Sequence, residues 1–211
     1  MRIVKEAEER RNEILDTAEQ LFIEKGYDSA STNDILDRIG IARGTLYYHF
    51  GSKEEILDAI IERLTDRIVQ RVSEAAGDKQ RPVLERLIKS LMAMNADNET
   101  GAFVIEQIHK PQNALMHQKS NKKLTERINP ILTGLVREGI KEGLFSTDHP
   151  DEAVDMIMLY SNIEFDGLNE MEEEVRLKKT EGFIYNVERL LGAGQGSLVN
   201  YIKPLFAPSR V

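Results

Sequence analysis

Apolar side chains recur along this chain at spacings of three and four, and no stretch alternates convincingly in twos, so nearly everything reads as helix. Ile14, Leu15, Ala18, Leu21 and Phe22 form one apolar stripe that stops at Lys25-Gly26, a basic last turn followed by a capping glycine. Ser31-Thr32-Asn33-Asp34 reads as a capping box, with Ser31 as N-cap and Asp34 at the third helical position. The helix it opens is short and ends near Ile39-Gly40. Ala42 to Phe50 reads as a third helix. Ser52-Lys53-Glu54-Glu55 is a second capping box, opening a long helix from about 53 to about 75 that Ala76-Gly77-Asp78 closes.

Longer helices follow, expected at about 82–95, 101–110, 113–143 (in one piece or two), 150–168 and 172–191. Pro130 should kink or split the third of these. Pro150 starts the fourth from its first turn, and Gly192 caps the fifth. After a glycine-rich linker, Leu198 to Phe206 places six large apolar groups in nine residues. Left in water they would form a sticky patch, so this segment is expected to dock, either stiffening a dimer or covering a pocket mouth. The expected organisation is a domain at 1–52, a second at 53–192 and an extension at 193–211.

Two short helices joined by a tight glycine-containing turn over 31–53 make a helix-turn-helix, which presents its second helix to the major groove of DNA. A formal net charge of −8 argues against a DNA binder until the charge is read locally. Between Arg38 and Lys53 there is no acidic residue, and Arg43, Thr45, Tyr47, Tyr48 and His49 lie among them. Thr32 sits in the first turn of its helix, where free N–H groups favour an anion. Lys53 opens the next long helix, where a cation is badly placed against the helix dipole; a DNA phosphate would explain it, and so would a solvated lysine. Gly44 costs about 1 kcal/mol relative to alanine inside a helix, which makes sense where the backbone must approach DNA closely or where the first turn is simply loose.

Residues 31 to 57, with Thr-Leu-Tyr-Tyr-His-Phe followed after two residues by Lys-Glu, resemble the DNA-binding signature of the TetR (tetracycline-repressor) family. The resemblance is close over residues 10 to 60; beyond that it is one of helix order and length. It implies that Thr32, Tyr47, Tyr48, His49 and Lys53 touch phosphates or the groove edge, that Arg43, Gly44 and Thr45 face base edges, and that Leu46 and Phe50 are core. It implies an all-α fold: an N-terminal three-helix helix-turn-helix domain and a C-terminal helical ligand-binding and dimerisation domain.

The helix over 150–168 is apolar almost all round and must be covered on two sides. Paired with the last long helix across a twofold axis it would form a four-helix bundle, as the resemblance also implies. Val154, Ile157, Met158, Phe165, Ile184, Val187 and Leu191 are the expected dimer face. Met92, Phe103, Met116 and Tyr160, with the polar Glu106, His109 and His117, are candidates for a small-molecule pocket. Glu106 and His109 have the Glu-x-x-His spacing of some bundle metal sites, but in a single copy, so no metal, cofactor or catalytic residue is expected.

Without cysteine there are no disulfides, thiolate metal sites or cysteine nucleophiles. No apolar run nears the ~18 residues needed to span a membrane, and the first residues lack a secretory pattern, so a cytoplasmic protein is expected. The reading is a one-component regulator: a repressor that binds double-stranded operator DNA as a homodimer and is released by a small-molecule inducer. An activator of the same build, a ligand binder with a degenerate helix-turn-helix, and a helical enzyme are the alternatives. For the last, no nucleophile–base motif or phosphate-binding loop is present.

Overall fold

The computed structural model describes residues 2–94, 103, 106–107, 110, 114–165 and 171–206, the side chains at 2–6 and 114–117 excepted. No strand occurs among them. The helices are α1 (Arg2–Lys25), α2 (Thr32–Ile39), α3 (Arg43–His49), α4 (Lys53–Gly77), α5 (Val83–Met92), α6 (Ala114–Lys141), α7 (Pro150–Glu164), α8 (Glu173–Leu191) and α9 (Val199–Ile202), followed by a 3₁₀ turn at Lys203–Phe206. The chain divides into two compact units, one of residues 1–67 with 96–121 and one of 68–95 with 122–211.

In the first unit the expected stripe of α1 is buried, and Ile35, Leu46, Phe50, Ile56, Leu57 and Ile60 complete the core. Phe22 anchors it, with the rings of Tyr27 and Phe103 at 5.2 and 6.2 Å. Arg63 of α4 fixes the outer side of α1 by ion pairs to Asp16 and Glu19. The α2 capping box is formed as read: Ser31 Oγ accepts the Asp34 N–H at 3.2 Å, and the Asp34 carboxylate accepts the Ser31 N–H at 2.8 Å. Lys25, then Ser31, hold the Asp34 carboxyl well below the ordinary carboxylate range. Gly40 closes α2 at φ 74°, a left-handed conformation suited to glycine, and its N–H reaches the Leu36 carbonyl at 2.8 Å. The second box is displaced by one residue. Ser52 Oγ accepts the Glu55 N–H, but the Glu55 carboxylate accepts from Gly51 N–H, at 2.6 Å, rather than from Ser52.

The second unit packs Val72, Val83, Leu87, Ile128, Leu132, Leu135, Phe145, Val154, Met158, Ile184 and Val187 inward. Arg86, itself buried, donates to the Ala76 carbonyl at the end of α4 and to Glu138 of α6, which Lys79 also meets at 2.6 Å. Asn129 of α6 donates to Asp155 of α7 at 2.6 Å. A Cβ at Gly139 would come within 2.5 Å of the Phe145 ring, so the aromatic lies directly on the α6 backbone. Pro130 lies inside α6 without dividing it. Helix α5 is shorter than expected, and α7 ends at Glu164, capped by Phe165, whose N–H reaches the Ser161 carbonyl. Most of the helix expected over 101–110 lies outside the described residues.

Candidate functional site

Helix α3 is held by its inner side and left open on its outer side. Leu46 is fully buried, and Phe50 closes the far end beneath the guanidinium of Arg11, 5.0 Å from its ring centroid. Three residues, Gly40 to Ala42, separate α2 from α3. Tyr48, 79% exposed, and Tyr47 project outward, and the Tyr48 and His49 rings meet edge-on at 5.0 Å. Arg43 lies over Tyr47, 5.5 Å from its centroid. Hydrogen bonding to Thr32, then to Arg43, draws the Tyr47 phenol below its ordinary value. Thr32, Tyr47 and Arg43 therefore form one row that joins the start of α2 to the start of α3. Gly44 has no internal reason to be glycine: a Cβ there would meet nothing within 4 Å, and its φ is not positive.

The charge around this row is more ordered than the sequence suggested. Arg38 makes a two-pronged pair with Glu24, at 3.1 and 2.8 Å, and Lys25 pairs with Asp34 at 2.6 Å. The ammonium of Lys53, half-buried, turns inward. It donates to the carbonyls of Tyr27 at 2.8 Å and Ala30 at 3.0 Å and lies 4.3 Å from the Tyr27 ring centroid. Lys53 thus resolves its awkward place at a helix start by tying down the loop that carries α2. Burial beneath this contact, with nearby Glu54 second, pushes the Tyr27 phenol up to about 12.

A second candidate site lies wholly within the second unit, a cavity of about 300 Å³. Leu87 and Leu91 of α5, Leu132 and Val136 of α6 and Phe183 of α8 contribute walls. So do six residues expected in the dimer face: Val154, Ile157, Met158, Phe165, Val187 and Leu191. Ile184 is buried in the same unit. The face of α7 turned to solvent carries Met156, Leu159, Tyr160 and Ile163 instead. A helix apolar on all sides gives periodicity no means of telling its inner face from its outer one. Of the residues expected in a pocket, Met92 is exposed, Phe103 packs on Phe22 in the first unit, and Glu106 is exposed. Tyr160 stacks on Phe183 at 5.7 Å from the solvent side. His109 and the side chains of Met116 and His117 lie outside the described residues. Leu198, Ile202, Leu205 and Phe206 also line the cavity, so the apolar segment expected to dock takes the pocket-side place, one of the two the sequence left open. Among the described residues no group of three acidic or histidine side chains could hold a metal ion, and no helix is long and apolar enough to cross a membrane.

Comparison with known proteins agrees with this geometry. The family described as bacterial regulatory proteins, tetR family, matches residues 14–60, which include α2 and α3. The family described as tetracyclin repressor-like, C-terminal domain, matches residues 96–181. The chain is 32% identical over 148 residues to the HTH-type transcriptional repressor KstR2 of Rhodococcus jostii (strain RHA1), covering 66% of this chain and 69% of that protein. It is 29% identical over 133 residues to the fatty acid metabolism regulator protein of Bacillus subtilis (strain 168), covering 62% and 68%. A solved TetR-family transcriptional regulator from Syntrophomonas wolfei shares the fold at a TM-score of 0.59 and 25% identity, over 90% of this chain and 98% of that one. With a helix-turn-helix formed as the sequence required and relatives matched over most of their length, the chain belongs to the tetR family of bacterial regulatory proteins.

Proposed function

We propose that this protein is a transcriptional repressor that grips operator DNA as a homodimer and lets go when a small molecule enters the cavity of its second unit. The observation that carries the DNA reading is the outer row of α2 and α3. Thr32, Arg43, Thr45, Tyr47, Tyr48 and His49 supply donors with no acid among them, and Gly44 leaves the α3 backbone open to close approach. In this reading Arg43 reads a base edge, since a guanidinium pairs two-pronged with guanine, while Thr32, Tyr47, Tyr48 and His49 fix the register on phosphates. Lys53 acts as a positioning residue by holding the loop before α2. Repression is taken from KstR2, whose name states it.

The dimer face we assign is the solvent-facing stripe of α7, Met156, Leu159, Tyr160 and Ile163, whose three- and four-residue spacing makes one continuous apolar strip. Functionally the chain divides into DNA binding over 1–52, effector binding and dimerisation over 53–192, and the extension 193–211. The protein works in the cytoplasm, by binding and not by turnover. The effector acts by linkage: it favours a spacing of the two recognition helices other than the ~34–36 Å that DNA requires. Helix α4, which begins beside the helix-turn-helix and supplies residues to both units, is the natural lever. Selection of bound duplexes from a random pool, followed by a screen for molecules that release them, tests this reading.

A further inference from the structure

The segment after α8 forms part of the cavity itself. Leu198 and Ile202 are buried and, with Leu205 and Phe206, line it. The Phe206 ring centroid lies 4.3 Å from that of Phe165 and 5.4 Å from that of Phe183. The polar fastening is concentrated where the segment begins. Glu188, 5% exposed, accepts the N–H groups of Gly196 at 2.8 Å and Leu198 at 2.9 Å. Among the described residues no hydrogen bond joins 199–206 to α5, α6, α7 or α8, so beyond that fastening apolar contact alone holds the segment down.

The lining also limits what can enter. Its described residues include no ionisable side chain, and the polar ones are Ser161 and Asn162. The Ser161 hydroxyl donates to the Met158 carbonyl at 3.1 Å and so can only accept from a ligand, which leaves the exposed Asn162 amide as the one lining side chain free both to donate and to accept. An unpaired charge would be costly here, whereas hydrocarbon gains in proportion to the area it buries. An apolar cavity of roughly 150 Å³ takes up one benzene ring, so one of twice that size suits roughly two rings or about a dozen carbons.

We propose that this cavity binds an uncharged, hydrocarbon-rich molecule of that size, with its one polar group at Asn162, and that residues 198–206 form a lid over it, fastened at Glu188. The proposal rests on reading the cavity as the effector site. The test uses the full chain and prodan, a neutral two-ring naphthalene ketone whose emission shifts in apolar surroundings. Saturable binding of one prodan per protomer is expected. Decan-1-ol should displace it at least tenfold more effectively than decanoate. A chain ending at Gly194 should bind at least tenfold more weakly. If that chain does not fold, Ile202→Ala and Phe206→Ala should each weaken binding several-fold, with Tyr201→Ala, which alters an exposed residue of the same segment, unchanged. Glu188→Gln should speed prodan release several-fold. Absence of saturable prodan binding, equal displacement by decanoate, or full affinity in both the shortened chain and Phe206→Ala would overturn the proposal. Operator affinity is measured separately. Lid-dependent prodan binding that leaves DNA affinity unchanged would uphold the site and defeat the effector reading. Release of DNA by decan-1-ol with no dependence on residues 198–206 would do the reverse.

Discussion

A glycine in the first turn of a seven-residue helix weakens that helix, and at Gly44 nothing inside the protein requires it. Replacement by alanine should therefore stabilise the folded protein by up to about 1 kcal/mol. The same methyl should weaken operator binding if, as proposed, DNA approaches the α3 backbone through the open space at Gly44. Melting temperature and operator affinity measured on Gly44→Ala separate the two effects, and an unchanged affinity would place Gly44 away from DNA. Lys53 predicts the opposite coupling. Lys53→Met removes two charge-assisted hydrogen bonds and should cost about 1.5–3 kcal/mol of stability, with DNA affinity lost equally on every sequence. Arg43→Ala should instead cost about 1–3 kcal/mol of binding and relax base preference while leaving the melting temperature near its original value. In the second unit Arg86, then Lys79, hold the Glu138 carboxyl down at about 2. A depressed carboxyl stabilises the fold fully above its ordinary value of 4.5 and loses that contribution as pH falls toward the folded value. The melting-temperature gap between the natural protein and Glu138→Gln should therefore be constant above pH 5 and shrink between pH 4 and 2.

Helix α2 carries its own start and stop, the Ser31–Asp34 box and left-handed Gly40, so it could be read within the short stretch from Ser31 to Gly40. Ser31→Ala should cost about 1 kcal/mol in chemical denaturation. Elements set by local chemistry were legible in this way. Lys53 was not, because its partners lie 23 and 26 residues earlier in the chain. The cavity was not either. Its walls come from four helices and the C-terminal segment, and the side of α7 that turns inward is decided by α5, α6 and α8 rather than by α7 itself. The outward stripe of α7 carries the dimer prediction. Leu159 and Ile163 are 63% and 64% exposed in a single protomer, so Leu159→Glu or Ile163→Glu leaves the protomer core untouched. Each should shift the protein to monomer by light scattering at micromolar concentration, since a buried unpaired charge is costly at an interface. Variants that remain dimeric would move the interface elsewhere.

At the scale of the whole molecule the negative total charge and the DNA-binding role are compatible, because acids are absent from the one stretch, 39–52, that presents α3. Much of the neighbouring cationic charge is spent on internal pairs, as at Arg38 and Lys25. In the proposed homodimer, contacts by two copies of α3 must then supply more of the affinity than a diffuse basic surface would. Under the proposed reading linkage is reciprocal: a molecule that loosens DNA must itself bind less well to the DNA-bound protein, by the same factor. The most direct test of the central claim is selection of duplexes from a random pool by the purified full chain, with affinities of the selected sequence and bulk DNA compared at one salt concentration. The expected result is a palindromic or near-palindromic site bound by two protomers at least about 10³-fold more tightly than bulk DNA, with that preference reduced in Arg43→Ala. A pool that yields no sequence bound better than bulk DNA would contradict it.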